Sequence, residues 1–288
     1  MKRLLLLAGT GEAREIAAAL KHRFAVTASL AGATARPADL GVATRTGGFG
    51  GAEGLRRFIE AEAIDLLIDA THPFAARMKA NAAAQTAPVL HVIRPPWRPG
   101  PDERWTLVPD LAAAARALPA DARAFLALGA RHLDAFRGHP AHMLVRSVDA
   151  PESTASSAVF PSPLMGEGRG GGERPGAGGV SPPPGAARRP PPPGGRNGDG
   201  GREKDVVPFV FIRGVPGTVA DETALLRNHR ITHLVCRNSG GGAGRAKLDA
   251  AHALGIAVIV IGRPPRPSGE IVESPEDAIR WALARAGD

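Results

Sequence analysis

The chain has 288 residues, 43% of them hydrophobic, so it is long enough to bury one large core or two ordinary ones. Its formal net charge is +8, but the basic residues are scattered and form no run of the kind that follows a nucleic-acid backbone. This argues against a nucleic-acid partner and suits a polyanionic small molecule, because charged clefts attract ligands of opposite sign. The single cysteine, Cys236, excludes an intrachain disulfide.

The N-terminal sequence MKRLLLLAG has the look of a signal peptide, but its apolar stretch ends at Thr10 after about five residues, fewer than such a segment needs. No stretch of the chain approaches the roughly 18 apolar residues of a spanning helix. We therefore expect a cytoplasmic protein without a membrane segment.

Short apolar runs alternate with helical patterns from the first residue onward. Runs that are apolar on both faces and linked by helices indicate a parallel sheet covered on both sides. The sequence therefore predicts a doubly wound α/β domain over residues 1–95. Its predicted strands are 4–8, 25–30, 42–46, 66–70 and 89–93, and its predicted helices are 12–21, 52–63 and 75–86.

The pattern restarts after a proline-rich, charged segment at 94–105, which suits a crossing between domains. We expect a second α/β domain over 96–288, on the substrate side. Its predicted strands are 105–108, 124–128, 143–148, 209–212, 233–236 and 257–261, and its predicted helices are 111–118, 131–137, 221–230 and 245–254.

Residues 161–205 belong to neither pattern. Glycine and proline make up more than half of this segment, and it contains no aromatic residue. Such a composition buries too little apolar surface to offset its ordering entropy, so the sequence predicts a disordered loop. A polyproline ligand at 190–193 is an alternative, but an insertion between two strands is favoured because long loops add little closure entropy.

The first strand is followed by Gly9-Thr10-Gly11-Glu12, and a helix begins at once. Backbone N–H groups at a helix N-terminus favour phosphate, so we assign these four residues to cofactor binding. Arg14 stands where the G-x-G-x-x-G pattern has its last glycine. A turn that only joins a strand to a helix remains the alternative.

The end of the second strand indicates which dinucleotide would bind. NAD-binding folds carry an acidic residue there for the ribose hydroxyl, whereas this chain has none between Ser29 and Arg36. A hydroxyl and an arginine suit a 2′-phosphate, so the sequence predicts NADPH, with Ser29 and Arg36 as contacts.

Four glycines surround Phe49 after the third strand, where they let a ligand approach the backbone closely. We assign Gly47 and Gly48 to the cofactor and Gly50 and Gly51 to the substrate. A simple glycine-rich turn is the alternative.

The fourth strand ends in Asp69-Ala70-Thr71-His72-Pro73. Pro73 is ordinary at a helix start, but Thr71 and His72 are not required by that role. The carboxyl end of such a sheet is where ligands bind, so we assign Thr71 to the cofactor and His72 to catalysis, as a candidate proton donor. A structural histidine remains the alternative.

Arginines follow two strands of the second half. Arginine forks and backbone N–H groups bind carboxylates, which predicts that this part of the chain binds the substrate. The candidates are Arg213, Arg237, Asn238, Ser239, Gly240 and, one helical turn further on, Lys247, which equally suits a solvated helix position. The nine histidines are dispersed and the cysteine has no spaced partner, so no metal site is predicted.

The segments GTGEAREIA, GGFGGAEGL, IDATHPFA, RPPW and NSGG…AKLDAAHALGI, in this order, resemble the precorrin-6A reductase family of cobalamin biosynthesis. The resemblance covers nearly the whole chain outside 161–205. It implies two Rossmann-like domains with a ligand cleft between them, NADPH held mainly by the first domain, and a corrin precursor in the cleft. The activity implied is that of an oxidoreductase acting on a CH–CH group, which transfers hydride from NADPH to the macrocycle and forms precorrin-6B.

By position, the resemblance places Gly9, Thr10 and Glu12 in the family's phosphate turn, 47–51 in its glycine-rich loop, and Thr71 and His72 in its strand-four motif. The family's usual Ser-Lys before Asn-Ser-Gly-Gly is Cys236-Arg237 here. Arginine keeps the charge but is a far poorer proton donor, so Arg237 is predicted to bind substrate.

Two other functions remain open from the sequence. One is a tetrapyrrole lyase of the uroporphyrinogen-III synthase kind, which needs no nicotinamide. The other is a regulatory protein that senses NADPH without catalysis. An enzyme of this pathway has other cobalamin-pathway enzymes as candidate partners for substrate transfer.

Overall fold

The computed structural model describes residues 1–32, 39–147, 209–242 and 244–287, and the backbone of Val159–Pro161. The first half contains β1 (Arg3–Leu7), α1 (Gly11–Leu20), β2 (Ala25–Leu30), β3 (Ala43–Thr46), α2 (Ala52–Ala61), β4 (Leu66–Asp69), α3 (Ala76–Ala83) and β5 (Val89–Val92). The second half contains β6 (Trp105–Val108), α4 (Leu111–Ala117), β7 (Arg123–Ala127), β8 (His142–Ser147), β9 (Val159–Pro161), β10 (Val210–Arg213), α5 (Val219–Asn228), β11 (His233–Arg237), α6 (Ala246–Ala253), β12 (Ala257–Ile261), β13 (Glu270–Val272) and α7 (Pro275–Ala284).

The strands form two parallel sheets, so the predicted α/β class with two parallel-sheet domains is confirmed. The first sheet has six strands in the order β13-β5-β4-β1-β2-β3. The second has seven in the order β6-β12-β11-β7-β8-β10-β9.

Helices cover both faces of the first sheet, as the apolar pattern of β1 requires. Leu4 and Leu6 point to one face and pack with α1 and α7, whereas Leu5 and Leu7 point to the other and pack with α2 and α3. All four leucines are at most 1% exposed. A strand buried on both sides reads as a continuous apolar run rather than an alternating one.

The strand order determines where the two sheets offer a ligand site. In the first sheet the order in which successive strands are added reverses between β1 and β4. In the second sheet it reverses between β7 and β11. Ligands of doubly wound sheets bind at such points, outside the carboxyl ends of the strands. These four strand ends carry the residues of the site described below.

The predicted second domain over 96–288 requires a correction at its C-terminal end. β13 pairs with β5 of the first sheet, and α7 packs against α1 through Ala278, Trp281 and Ala282. Burial of these side chains in the core of the first sheet stabilises this arrangement, although the segment follows the second sheet along the chain. The sequence did carry a helix signal here, because Ser274 caps α7 and Pro275 stands at its first turn.

One further prediction differs from the structure, and another lies almost wholly outside the described residues. The helix predicted at 131–137 is a pair of 3₁₀ turns, Ala130–His132 and Asp134–Phe136, because the buried Leu133 and Phe136 are spaced three apart, the repeat of that helix. The segment predicted as a disordered loop begins at Pro161, the last residue of β9, and 162–205 lie outside the described residues. None of the described helices is long and apolar enough to cross a membrane.

Candidate active site

The turn after β1 is open on its outer side. Gly9 has φ +140°, a conformation that favours glycine, and a Cβ there would have no other atom within 4 Å. Thr10 caps α1 by accepting a hydrogen bond from the Ala13 N–H, and its hydroxyl donates to the Ala70 carbonyl at 2.8 Å. The Thr10 hydroxyl therefore ties β1 to the end of β4, which leaves backbone N–H groups of the turn as the donors for phosphate.

The carboxylate of Glu12 is committed to an interdomain contact. Nη1 of Arg94 donates to both of its oxygens, at 2.9 and 2.8 Å, and Nε of Arg94 donates to the Ser239 carbonyl at 2.8 Å. Burial alone would raise the pKa of Glu12, but its own backbone N–H and Arg94 outweigh burial and lower it. Glu12 therefore stays ionised and ties α1 to the end of β11.

The glycine-rich loop folds back on α2. A Cβ at Gly54 would lie 1.6 Å from the Phe49 carbonyl oxygen, so only glycine permits this approach. Gly47, Gly50 and Gly51 have φ of +111°, +81° and +95°, and a Cβ on any of them would have no other atom within 4 Å. The loop thus presents open backbone at these three glycines, and its contact with a ligand stays a prediction.

At the end of β2, Ser29 contacts an arginine other than the predicted Arg36. Ser29 is 6% exposed and its hydroxyl accepts a hydrogen bond from Nη1 of Arg45 at 2.8 Å. Arg36 lies outside the described residues. Arg45, which the sequence analysis did not single out, is the arginine that the structure places beside Ser29.

A buried polar cluster supports the loop after β4. Asp69 is fully buried and accepts hydrogen bonds from the N–H and hydroxyl of Thr71, at 3.0 and 2.6 Å. Its other oxygen contacts Lys79 Nζ at 3.1 Å and His91 Nδ1 at 2.8 Å. Burial would raise the pKa of Asp69, but His91, Lys79 and Thr71 outweigh burial and lower it to about 2.

This cluster was missed because its members are far apart in the sequence. Lys79 lies on α3 and His91 on β5, where it pairs in register with Asp69. Lys79 also donates to the Thr71 carbonyl at 3.4 Å. The hydroxyl of Thr71, predicted to contact the cofactor, is therefore used to hold the loop that carries His72.

His72 bridges the two domains as a neutral imidazole. Its Nδ1 accepts a hydrogen bond from the Phe74 N–H at 3.2 Å, so the proton is on Nε2, which donates to Ser239 Oγ at 3.0 Å. Burial, together with the charges of Arg237, Arg94 and Arg263, lowers the pKa of His72 to about 3. The assignment of His72 as a proton donor stays a prediction.

The end of β11 places one predicted substrate residue next to His72. Arg237 lies over the Phe74 ring at 5.3 Å, and its Nη1 donates to His132 Nε2 at 3.1 Å. His132 follows β7 and was not predicted from the sequence, although Gly129 marks a turn just before it. Arg237, His132 and His72 thus lie together where the carboxyl ends of the two sheets face each other.

The neighbours of Arg237 in the sequence hold the segment between the domains. The side chain of Asn238 exchanges hydrogen bonds with the backbone of Trp97, at 2.8 and 3.0 Å. A Cβ at Gly240 would lie 2.1 Å from the Pro95 carbonyl, so glycine allows that segment to approach. The predicted substrate contacts at Asn238 and Gly240 are in the structure contacts with residues 95–97.

Two other predicted substrate residues lie apart from this group. Lys247 is 7% exposed, donates to the Gly244 carbonyl and lies over the Trp97 ring at 4.6 Å, so it packs inside the second domain. Arg213 is exposed at the end of β10. It shares the carboxyl edge of the sheet with Arg237, three strand spacings or about 14 Å away.

The chain matches a known family over most of its length. The family described as "Precorrin-6x reductase CbiJ/CobK" matches residues 3–163 and 204–283. Proteins named "Precorrin-6A reductase" from Rhodobacter capsulatus and Rhodococcus erythropolis are each 40% identical to this chain, over 98% of its length and 96% and 97% of theirs. The chain belongs to the precorrin-6x reductase family.

A solved structure titled "CobK precorrin-6A reductase" agrees with this membership. It is 36% identical to the chain, with a TM-score of 0.76 over 100% of this chain and 98% of that one. Membership of the family decides between the functions that the sequence left open, because its members are oxidoreductases rather than lyases or regulatory proteins. Its match omits residues 164–203, most of the segment predicted as an insertion.

Reductases of this family need a nicotinamide cofactor, and the first domain fits one. The open Gly9 turn stands at the N-terminus of α1, where backbone N–H groups bind phosphate, and the glycine-rich loop lies at the same edge of the sheet. Among the described residues, no three histidine, cysteine or acidic side chains are grouped as metal ligands.

Proposed function

We propose that this protein catalyses the NADPH-dependent reduction of precorrin-6A to precorrin-6B in cobalamin biosynthesis. One observation supports this most directly. The loop after β4, which adjoins the phosphate-binding turn of the first sheet, meets an arginine-bearing strand end of the second sheet at the His72–Ser239 hydrogen bond, 3.0 Å long. A dinucleotide on the first domain and a carboxylate-rich substrate on the second would therefore be held face to face.

The first domain would hold the cofactor through backbone. Gly9 and Gly11 offer N–H groups to the diphosphate, and Gly47 and Gly48 line the path of the nucleotide along the sheet edge. When bound, the nicotinamide supplies the hydride, and the protein supplies orientation and charge. Gly50 and Gly51, where a side chain would project into open space, allow a flat macrocycle close to the backbone.

The second domain would hold the substrate by charge. Corrin precursors carry many carboxylates, and Arg237 presents a guanidinium beside the polar His132 at the mouth of the junction. Arg94 and Arg263 add positive charge around His72. We assign His72 a positioning role: its Nε2–H is a neutral donor that Ser239 occupies until a ligand carboxylate or carbonyl replaces the serine.

The test is reduction of precorrin-6A by the purified full-length protein under anaerobic conditions. We expect consumption of NADPH to match the formation of a product heavier by two hydrogen atoms. NADPH deuterated at the transferred position should deliver one deuterium to the macrocycle. If the protein binds precorrin-6A yet neither consumes nicotinamide nor changes the substrate mass, the proposal is wrong.

A further inference from the structure

Arg45 stands where the adenosine end of a dinucleotide would lie. It pairs in register with Ser29 across β2 and β3, close to the carboxyl ends of both strands and two strand spacings away from β1. In dinucleotide-binding folds this end of the second strand contacts the ribose of the adenosine, through an acid for NAD or a nearby arginine for NADP. This chain offers no acid there between residues 29 and 36.

The guanidinium of Arg45 is held in one orientation before any ligand binds. Nη1 donates to Ser29 Oγ at 2.8 Å and to the Gly47 carbonyl at 3.1 Å, and Nη2 donates to the Gly48 carbonyl at 3.3 Å. Its Cζ lies over the Phe49 ring, 4.0 Å from the ring centroid, and 5.1 Å from the centroid of Phe58. A guanidinium has five N–H donors, so these bonds leave two for an anion.

The charge of Arg45 is not balanced within the described residues. No carboxylate among them lies within 4 Å of its guanidinium, whereas Arg56 and Arg57 on the adjacent α2 are paired with glutamates. Residues 33–38, which lie outside the description, contain no acid either. A partly buried arginine that is fixed by rings and carbonyls, with no counter-charge in the described part of the chain, is suited to an external anion.

We propose that Arg45 selects NADPH over NADH by binding the 2′-phosphate of the adenosine ribose. This rests on the proposed use of a nicotinamide dinucleotide and assigns its specificity to one residue. Ser29 orients the guanidinium, and the stack on Phe49 keeps it at the edge of the sheet. The glycine-rich loop therefore fixes a cation as well as offering open backbone.

The experiment measures dissociation constants for NADPH, NADH, 2′,5′-ADP and 5′-AMP with the Arg45→Met and Arg45→Lys variants of the full chain. Methionine keeps an apolar stem over Phe49 and loses the charge. We expect Arg45→Met to weaken the binding of NADPH and 2′,5′-ADP at least tenfold, about 1.4 kcal/mol. The binding of NADH and 5′-AMP should weaken less than about threefold. Arg45→Lys should fall between wild type and Arg45→Met, and Arg57→Ala, which removes an equal charge from α2, should change none of the four.

The outcomes separate this inference from the proposed function. Equal weakening of NADPH and NADH binding in Arg45→Met would show that Arg45 only supports the loop, and unchanged affinities for both would place the 2′-phosphate elsewhere. If wild type binds neither dinucleotide, the proposed function itself fails. Should Arg45→Met not fold, Arg45→Lys decides, because an unchanged NADPH to NADH ratio with weakened 5′-AMP binding would overturn the assignment.

Discussion

The Nε2–H of His72 donates to Ser239 Oγ across 3.0 Å, and this bond joins the carboxyl edges of the two sheets. Beside it, Arg94 connects Glu12 of the first domain to the Ser239 carbonyl of the second. The two domains therefore meet through polar contacts at the point where each sheet binds ligands. A ligand that enters the junction competes for groups that already hold hydrogen bonds.

His72 should remain neutral well below neutral pH in the free protein. Its pKa is lowered to about 3, so the folded state resists protonation while the unfolded chain takes up a proton near pH 6.5. The contribution of His72 to the free energy of unfolding is therefore full above about pH 6.5 and is lost as pH falls towards 3, by at most about 1.4 kcal/mol per pH unit. NMR titration of the imidazole and urea unfolding at several pH values measure both effects.

The His72→Gln variant should lose this part of the pH dependence. The same substitution at the exposed His22 is the control and should leave the wild-type curve unchanged. A His72 resonance that titrates near pH 6.5 in the free protein would contradict the assigned neutral tautomer.

Removal of only one partner of the Asp69–Lys79 ion pair should lower the free energy of unfolding strongly. Asp69→Asn leaves a buried ammonium without its carboxylate, and removal of one partner of such a pair costs about 3–5 kcal/mol of unfolding free energy. The double variant Asp69→Asn, Lys79→Met should recover part of that loss, because no unpaired charge remains. Urea unfolding of wild type and both variants measures this, and a double variant less stable than Asp69→Asn would show that the ammonium stabilises the fold without the carboxylate, through the Thr71 carbonyl.

The lowered pKa of the Asp69 carboxylate should make the free energy of unfolding fall at acid pH. Because the pKa of Asp69 is lowered from 3.8 to about 2, its contribution to the free energy of unfolding is full above about pH 3.8. The contribution is lost as pH falls through 2. The difference in unfolding free energy between wild type and Asp69→Asn should therefore shrink over that interval.

Arg237 should bind substrate without taking part in proton transfer. Arg237→Ala removes the guanidinium beside His132 and should raise the KM for precorrin-6A roughly tenfold or more, for the ~1.5–3 kcal/mol of a charge-assisted contact. Arg237→Lys keeps the charge and should retain much of the activity, and neither variant should alter NADPH affinity. Arg227→Ala, an exposed arginine on α5, is the control. Loss of kcat in Arg237→Ala with KM intact would place this residue in the chemical step.

Gly54 and Gly11 should respond in opposite ways to alanine. At Gly54 a Cβ would lie 1.6 Å from the Phe49 carbonyl, so the loop or α2 must move, at a cost of about 1–3 kcal/mol or more. At Gly11, in the first turn of α1, a Cβ would have no other atom within 4 Å, and alanine is the better helix former. Thermal unfolding of Gly54→Ala and Gly11→Ala compares them, and equal midpoints would show that the loop is not held by this contact.

The sequence by itself determined the local parts of this protein. Continuous apolar runs identified buried parallel strands, and the glycines at 9 and at 47–51 identified turns, where Gly9, Gly47, Gly50 and Gly51 have positive φ. These properties depend on a few adjacent residues. The strands 105–108 and 257–261 coincide with β6 and β12. A strand end is also specified by adjacent residues, so the sequence places Arg237 at the end of a strand but does not indicate its partners.

Only the tertiary structure decided which distant groups meet. In the folded chain β13 pairs with the first sheet and α7 packs against it. Asp69 contacts Lys79 and His91, and Arg45 contacts Ser29. The tertiary structure also committed Asn238 and Lys247, both predicted to touch substrate, to contacts with Trp97. Burial, hydrogen bonding and the pKa of a side chain depend on neighbours from other elements, and no spacing along the chain specifies those neighbours.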